Sequence, residues 1–278
     1  MTIVQATSLI ARTVTVLGED PRVLGAWLTG SRGRGTDDRY SDVDLWLVVK
    51  DQQAFLADWP SIVEDISPTV LCQRMPDAPM FVNITPEWLR FDVSVAGPDE
   101  VARRPRTGMR LLFDRAGVAD HLREGSAPRP PSPARVAGMT TEFIRVLGLL
   151  PVVLGRDELE VAASGASMLR TLLIQLMVED VAVADRGGAL RLRALLPPER
   201  LSALTALPPI AATRESAVAA HVACAEAFLP LARDLCARTG VAWPEELWQA
   251  ARRWLRAELD VELPDSVGEP EPVHEPAS

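Results

Sequence analysis

The spacing of apolar positions changes character near residue 125, and that change divides the chain into two regions. In the first, short apolar runs alternate with helical patterns. Ala6–Gly18 reads as an opening helix ended by its glycine. Val23–Thr29 and Val43–Lys50 read as strands, and Asp51 is placed to cap a helix over Gln52–Ile66, in which Pro60 is a potential break. Met80–Ile84 and Trp88–Ala96 read as two more strands joined by a hairpin turn at Thr85-Pro86-Glu87. Four prolines within Gly125 to Pro133, the last being Pro133 itself, can continue neither kind of element. Beyond them Leu169, Leu172, Leu173 and Leu176 recur at helical spacing with Ile174, Met177 and Val178 around them, the pattern of a buried central helix. Ala211–Arg238 and Pro244–Glu262 also read as helices. The expected architecture is α+β: a mixed sheet with flanking helices, then an all-helical bundle. Its boundaries fall at 1–124 for the sheet domain, 125–134 for a Pro-rich linker, 135–263 for the helical domain and 264–278 for a disordered acidic tail.

Three acids break the apolar pattern of the first region. Asp42 and Asp44 flank Val43 at the head of the run Leu45 to Val49. Residues i and i+2 of a strand share a face, so both carboxylates point one way while Val43 points into the core. In Leu89 to Val95 the odd positions make an apolar face, and Asp92 lies on the other. Charge within apolar strands is costly, and neighbouring carboxylates repel unless a cation joins them. Mg²⁺ prefers hard oxygen ligands, commonly one or two carboxylates completed by phosphate oxygens. Upstream, Trp27-Leu28-Thr29-Gly30-Ser31 closes a strand on Gly-Ser, eleven residues before Asp42. Gly30 lets a backbone approach phosphates with no Cβ in the way, and Ser31 offers an N–H and a hydroxyl. Together these predict a metal–nucleotide site.

Gly30-Ser31, the spacing to Asp42-x-Asp44 and the later Asp92 resemble the polymerase-β-type nucleotidyltransferase superfamily. Within it, Tyr40-Ser41-Asp42-Val43-Asp44-Leu45 is similar to the antibiotic-modifying aminoglycoside adenylyltransferases. The likeness is motif-specific over residues 24–50, looser through Phe91-Asp92-Val93 and Leu111 to Arg115, and only architectural beyond residue 135. It implies a nucleotidyltransferase-fold catalytic domain and Mg²⁺-dependent transfer of AMP from ATP to a hydroxyl. Two Mg²⁺ ions would stabilise the attacking and leaving oxygens together. By the same resemblance Asp42 and Asp44 would hold both ions. Asp92 would ligate the one beside the acceptor hydroxyl or take its proton. Ser41 becomes a nucleotide-contact candidate. Arg32, Arg34 and Arg39 in the intervening loop are candidate triphosphate clamps, with Arg34 carried forward among the nucleotide contacts. Trp88, on Asp92's strand face two pleats away, is a candidate pocket wall.

Composition narrows the partners. A net charge of −9 over 278 residues speaks against an extended phosphate-binding surface, so nucleic acid is not the expected partner. It suits a small, cationic, hydroxylated acceptor such as an aminoglycoside, whose pocket would be acidic. Glu142, Asp157, Glu158, Glu160, Glu179 and Asp180 are available in the helical region. Arg103, Arg104, Arg106 and Arg110 read as a solvated surface, and His121 and His221 as ordinary surface or core residues. Cys72, Cys224 and Cys236 have neither disulfide nor zinc spacing. No leader pattern is evident and Leu201–Thr213, the longest uncharged run, is interrupted by Pro208 and Pro209, so a cytoplasmic protein without a membrane partner is expected. Two other classes stay open: a nucleotidyltransferase acting on tRNA or protein in the manner of a toxin, and a non-catalytic nucleotide-binding regulator.

Overall fold

The computed structural model describes residues 3–125, 127–184, 186 and 191–263. The stretch expected as a disordered tail, 264–278, lies outside them. The chain forms two compact units, Met1–Ala127 and Pro128–Ser278.

In the first unit, helix α1 (Ile3–Glu19) leads into strand β1 (Val23–Leu28), a five-residue helix α2 (Gly30–Arg34) and strand β2 (Val43–Val49). Helix α3 (Gln52–Ile66) is followed by β3 (Leu71–Arg74), β4 (Met80–Ile84), β5 (Arg90–Ala96) and β6 (Arg110–Asp114). Asp51 caps α3 by accepting the Ala54 N–H at 3.0 Å. The helix runs through Pro60 because the ring faces solvent while Phe55, Leu56, Trp59, Val63 and Ile66 are anchored in the core. The six strands form one mixed sheet in the order β3-β4-β5-β2-β1-β6. Of its neighbouring strands, β2 and β5 pair in parallel and the others pair antiparallel.

Strand alternation separates the two faces of this sheet. Val43, Leu45, Leu47 and Val49 of β2, with Phe91, Val93 and Val95 of β5, pack with Leu9 and Leu17 of α1 and with α3. On the opposite face Trp27, Trp46, Val48 and Ala96 form a smaller cluster under Val101 and Val118, from the 3₁₀ turns Pro98–Arg103 and Val118–His121, and Leu122, which caps the second. That smaller cover stops short of the start of β2 and β5. The acids lie on the strip it leaves bare.

Two strands were not legible as such. β3 is half exposed, and β6 carries Arg110 and Leu111 outward, so neither shows a continuous apolar face. The Gly-Arg segment expected as a loop begins with α2. Trp88 lies outside β5, in the β4–β5 turn: its φ is +64°, it is 70 % exposed, and its N–H donates to the Thr85 carbonyl at 2.9 Å.

The second unit is all helical: α4 (Pro133–Leu147), α5 (Leu150–Gly155), α6 (Leu159–Glu179), α7 (Leu192–Leu195), α8 (Pro198–Ala206), α9 (Arg214–Thr239) and α10 (Glu245–Leu259). Pro133–Gly155 and Leu159–Glu179 are long and apolar enough to cross a membrane by length and composition alone. Each lends one apolar row to the bundle core: Phe143 stacks on Phe228 with ring centroids 3.8 Å apart, and Leu169, Leu173 and Leu176 are fully buried, while Leu149, Val161 and Met168 face solvent. Glu179, at the end of α6, is buried among cations. Its carboxylate takes Arg135 Nε at 2.9 Å, Arg186 at 3.1 Å and the Ser132 N–H, at the N-cap of α4, at 2.8 Å. Removing one partner of such a buried pair strands the others. Glu179→Ala is therefore expected to cost about 3–5 kcal/mol in urea unfolding; a loss under about 1 kcal/mol would show that the cluster does not hold α4 to α6.

Candidate active site

The site grows out of one register. Because β2 and β5 run parallel with Val43 opposite Phe91 and Asp44 opposite Asp92, two carboxylates from different strands are direct neighbours on the uncovered strip. Asp42 immediately precedes β2, two residues before Asp44, and lies within ion-pair distance of Arg90, which immediately precedes Phe91 on β5. The result is a two-by-two array with Asp42 beside Arg90 and Asp44 beside Asp92. The Arg90 guanidinium forms an ion pair with Asp42 at 3.4 Å.

Electrostatics follow from this placement. Burial pushes the Asp44 carboxyl up to about 6, and the charges of Asp42 and Asp92 push the same way, against the opposing pull of Arg34 and Arg90. Asp92 is raised by burial and then by Asp42, with Arg90 opposing. Three like charges on a half-buried strip are the donor chemistry a hard divalent cation seeks, so these residues fit Mg²⁺. The geometry is open: among the described residues no group of three or more carboxylate, imidazole or thiolate side chains is drawn close enough to hold an ion. The acids share a patch and are not a closed cage.

Gly30 shapes the other edge. Its φ is +58°, and a Cβ built on it would lie 1.8 Å from Asp44 Oδ2. The glycine expected to admit phosphates is thus required first by the Asp44 carboxylate itself. The Thr29 N–H donates to the Asp44 carbonyl at 2.9 Å, tying this turn to β2. Gly33 has a similar duty: a Cβ there would meet the Gly108 carbonyl at 2.4 Å and the Leu28 carbonyl at 2.6 Å. Its place three residues after Gly30 is the signal that went unread.

The remaining candidates separate. Ser31 is buried at the start of α2, and its carbonyl accepts the Thr36 N–H at 2.9 Å. Ser41 is buried, its hydroxyl accepting from the Asp38 N–H at 3.0 Å and donating to Asp38 Oδ1 at 3.2 Å. Arg32 is turned inward. Its guanidinium donates to the Asp42 carbonyl at 2.9 Å, the Ser41 carbonyl at 3.1 Å and Asp37 at 2.9 Å. It positions the loop that carries Asp42. Arg34 is exposed, its charge felt at Asp44, and Arg39 lies over the Tyr40 ring. Arg90 was missed as a site residue, although two-residue alternation places it on Asp92's face. Asp114 serves a turn: burial raises its carboxyl, but N–H bonds from Ala119, Val118 and Ala116 outweigh this and lower it. His221 is a core residue, its ring nitrogen 2.7 Å from the Ala217 carbonyl.

Two outcomes follow. Asp44 in the folded metal-free protein holds its proton to about pH 6, against 3.8 for its ordinary value. The folded state therefore binds more protons than the unfolded one between these values, and stability falls as pH rises through the window. Asp44→Asn removes that loss: above pH 7 the metal-free variant should be more stable by about 1–2 kcal/mol, allowing for solvent screening, with no gain near pH 4. A variant less stable at pH 7.5 would make Asp44 a fold-supporting residue. Gly30→Ala should cost about 1–3 kcal/mol, from left-handed backbone and collision together. In an Asp44→Ala background only the backbone part should remain; equal costs in both backgrounds would contradict the contact.

A family model described as streptomycin adenylyltransferase matches residues 5–257. No curated protein sequence matches the chain. Among solved structures it is similar to an aminoglycoside 6-adenyltransferase from Bacillus subtilis, at 12% identity and a TM-score of 0.44, over 90% of this chain and 95% of that one. It is also similar to a nucleotidyltransferase-like protein from Exiguobacterium sibiricum 255-15, at 14% identity and a TM-score of 0.36, over 91% and 88% of the two chains. With the match spanning both the acid array and the helical unit, the chain belongs to the streptomycin adenylyltransferase family.

Proposed function

We propose that this protein transfers AMP from ATP to a hydroxyl of a small molecule, an aminoglycoside-type antibiotic being the acceptor class that the family match favours. The observation that carries the reading is the pairing of Asp44 with Asp92 on parallel strands, with Asp42 two residues before Asp44 and Gly30 against it. Bound Mg²⁺, two ions in this reading, supplies positive charge to the phosphates and to the attacking and leaving oxygens. Asp42 and Asp44 hold that charge in place. Asp92, its carboxyl raised by burial and by Asp42, is suited to accept the acceptor hydroxyl's proton. The turn at Gly30 and Ser31 borders Asp44 and offers the nucleotide a backbone edge; Arg34 adds a cation, and Ser41 shapes the approach to Asp42. The strip's excess negative charge also attracts a cationic acceptor. An ATP-using enzyme whose three cysteines are free is placed in the cytoplasm by this reading.

Incubation with α-labelled ATP and Mg²⁺ against streptomycin, other aminoglycosides, lincosamides, tRNA and protein tests it. Label is expected on one small cationic acceptor, with chelation abolishing transfer and Asp44→Asn lowering it about a thousandfold or more. Label on tRNA or protein would establish the macromolecular acceptor instead. ATP binding with no transfer to any acceptor would favour the regulator.

A further inference from the structure

The acid array contains its own cation. Arg90 occupies one of the four positions, 3.4 Å from Asp42, and its charge opposes the upward shift of both Asp44 and Asp92. Of the three acids, Asp42 is the one in an ion pair among the described residues. Both partners are about one-third exposed, so the pair is open to solvent on one side. Arg32, by contrast, is locked by three bonds beneath the same loop and is not available to move. The open geometry of the carboxylates has a ready cause: Asp42 is already engaged.

Resting on the metal-site reading above, we propose that Arg90 is a positioning residue that holds Asp42 while the metal is absent and competes with the divalent cation for that carboxylate. The pair lowers the repulsion within the metal-free array. It also sets a threshold for metal binding, because Asp42 must leave a guanidinium to become a ligand. A guanidinium released on that face has the phosphate chain of a nucleotide as a suitable partner, since its planar donors match phosphate oxygens. The metal would then be taken up efficiently with its nucleotide and poorly alone.

The test compares wild type, Arg90→Met and Arg90→Lys as full-length proteins. Mn²⁺ is titrated alone and monitored by paramagnetic resonance, and metal-free melting is followed in parallel. Arg90→Met is expected to melt lower without metal, having lost its counterion. It should nonetheless bind Mn²⁺ about tenfold more tightly, by removal of a competing charge a few ångströms away. Arg90→Lys should lie between, and the wild-type difference should shrink at high salt. A merely structural arginine would lower melting without tightening the metal. Unchanged or weaker Mn²⁺ affinity in Arg90→Met, in a protein that still transfers AMP with Mg²⁺, overturns the competition and leaves the site reading intact. No Mn²⁺ binding in any of the three, with no transfer, overturns both.

Discussion

The parallel register between β2 and β5 is the constraint on which this site depends. Setting Asp44 directly opposite Asp92 places two carboxylates on one half-buried face, an arrangement that costs free energy in the metal-free protein. The opposite faces of the same strands supply the compensation. Val43, Leu45, Phe91 and Val93 are essentially fully buried under α1 and α3. Burying each such side chain contributes about 1.5–3 kcal/mol, enough to hold two strands in a register their other faces oppose. A one-residue slip of either strand would turn its own acid towards that core, so the packing that stabilises the sheet also fixes the acids.

The surroundings of the array are built to manage its charge. Arg32 fixes the loop before Asp42 through backbone carbonyls. Gly30 yields the volume the Asp44 carboxylate needs. Arg90 and Arg34 reduce the repulsion without closing the face. The 3₁₀ turns cover Trp46 and Val48 but leave the acids uncovered. A strip that is destabilising when bare, and built on a rigid sheet, is one that a cation and a polyanion can stabilise.

Much of this was legible from residues because it rests on period. β4 and α3 were read with the bounds they have, including Asp51 as the cap, since an apolar period switched cleanly at a turn residue. The α+β class and the shared face of the acids follow from the same alternation. What period cannot show is pairing. That β2 and β5 are neighbours, and parallel, comes from a connection through α3, β3 and β4. The inward turn of Arg32 was equally hidden, since in sequence it is one of several arginines in a polar loop. Trp88 was misplaced because a hydrophobic residue before a strand looks like its first residue; only the left-handed backbone, with its N–H returned to Thr85, takes it out of the sheet.

The acceptor side shows why net charge alone locates little. The helical unit carries many acids, yet several of the most suggestive are consumed by its own folding. Glu179 joins Arg135 and Arg186, Asp180 joins Arg200 and Arg238, and Glu142 joins Arg145. At Asp180 burial alone would raise the carboxyl, and the two arginines outweigh it and lower it. A carboxylate held this way has little field left for a cationic ligand. Asp157, Glu158 and Glu160, by contrast, have no ion pair among the described residues, and all three cluster at the start of α6. The negative balance that pointed to a cationic acceptor is therefore distributed unevenly: neutralised at the paired acids of the bundle, and only partly offset by Arg90 and Arg34 on the sheet strip.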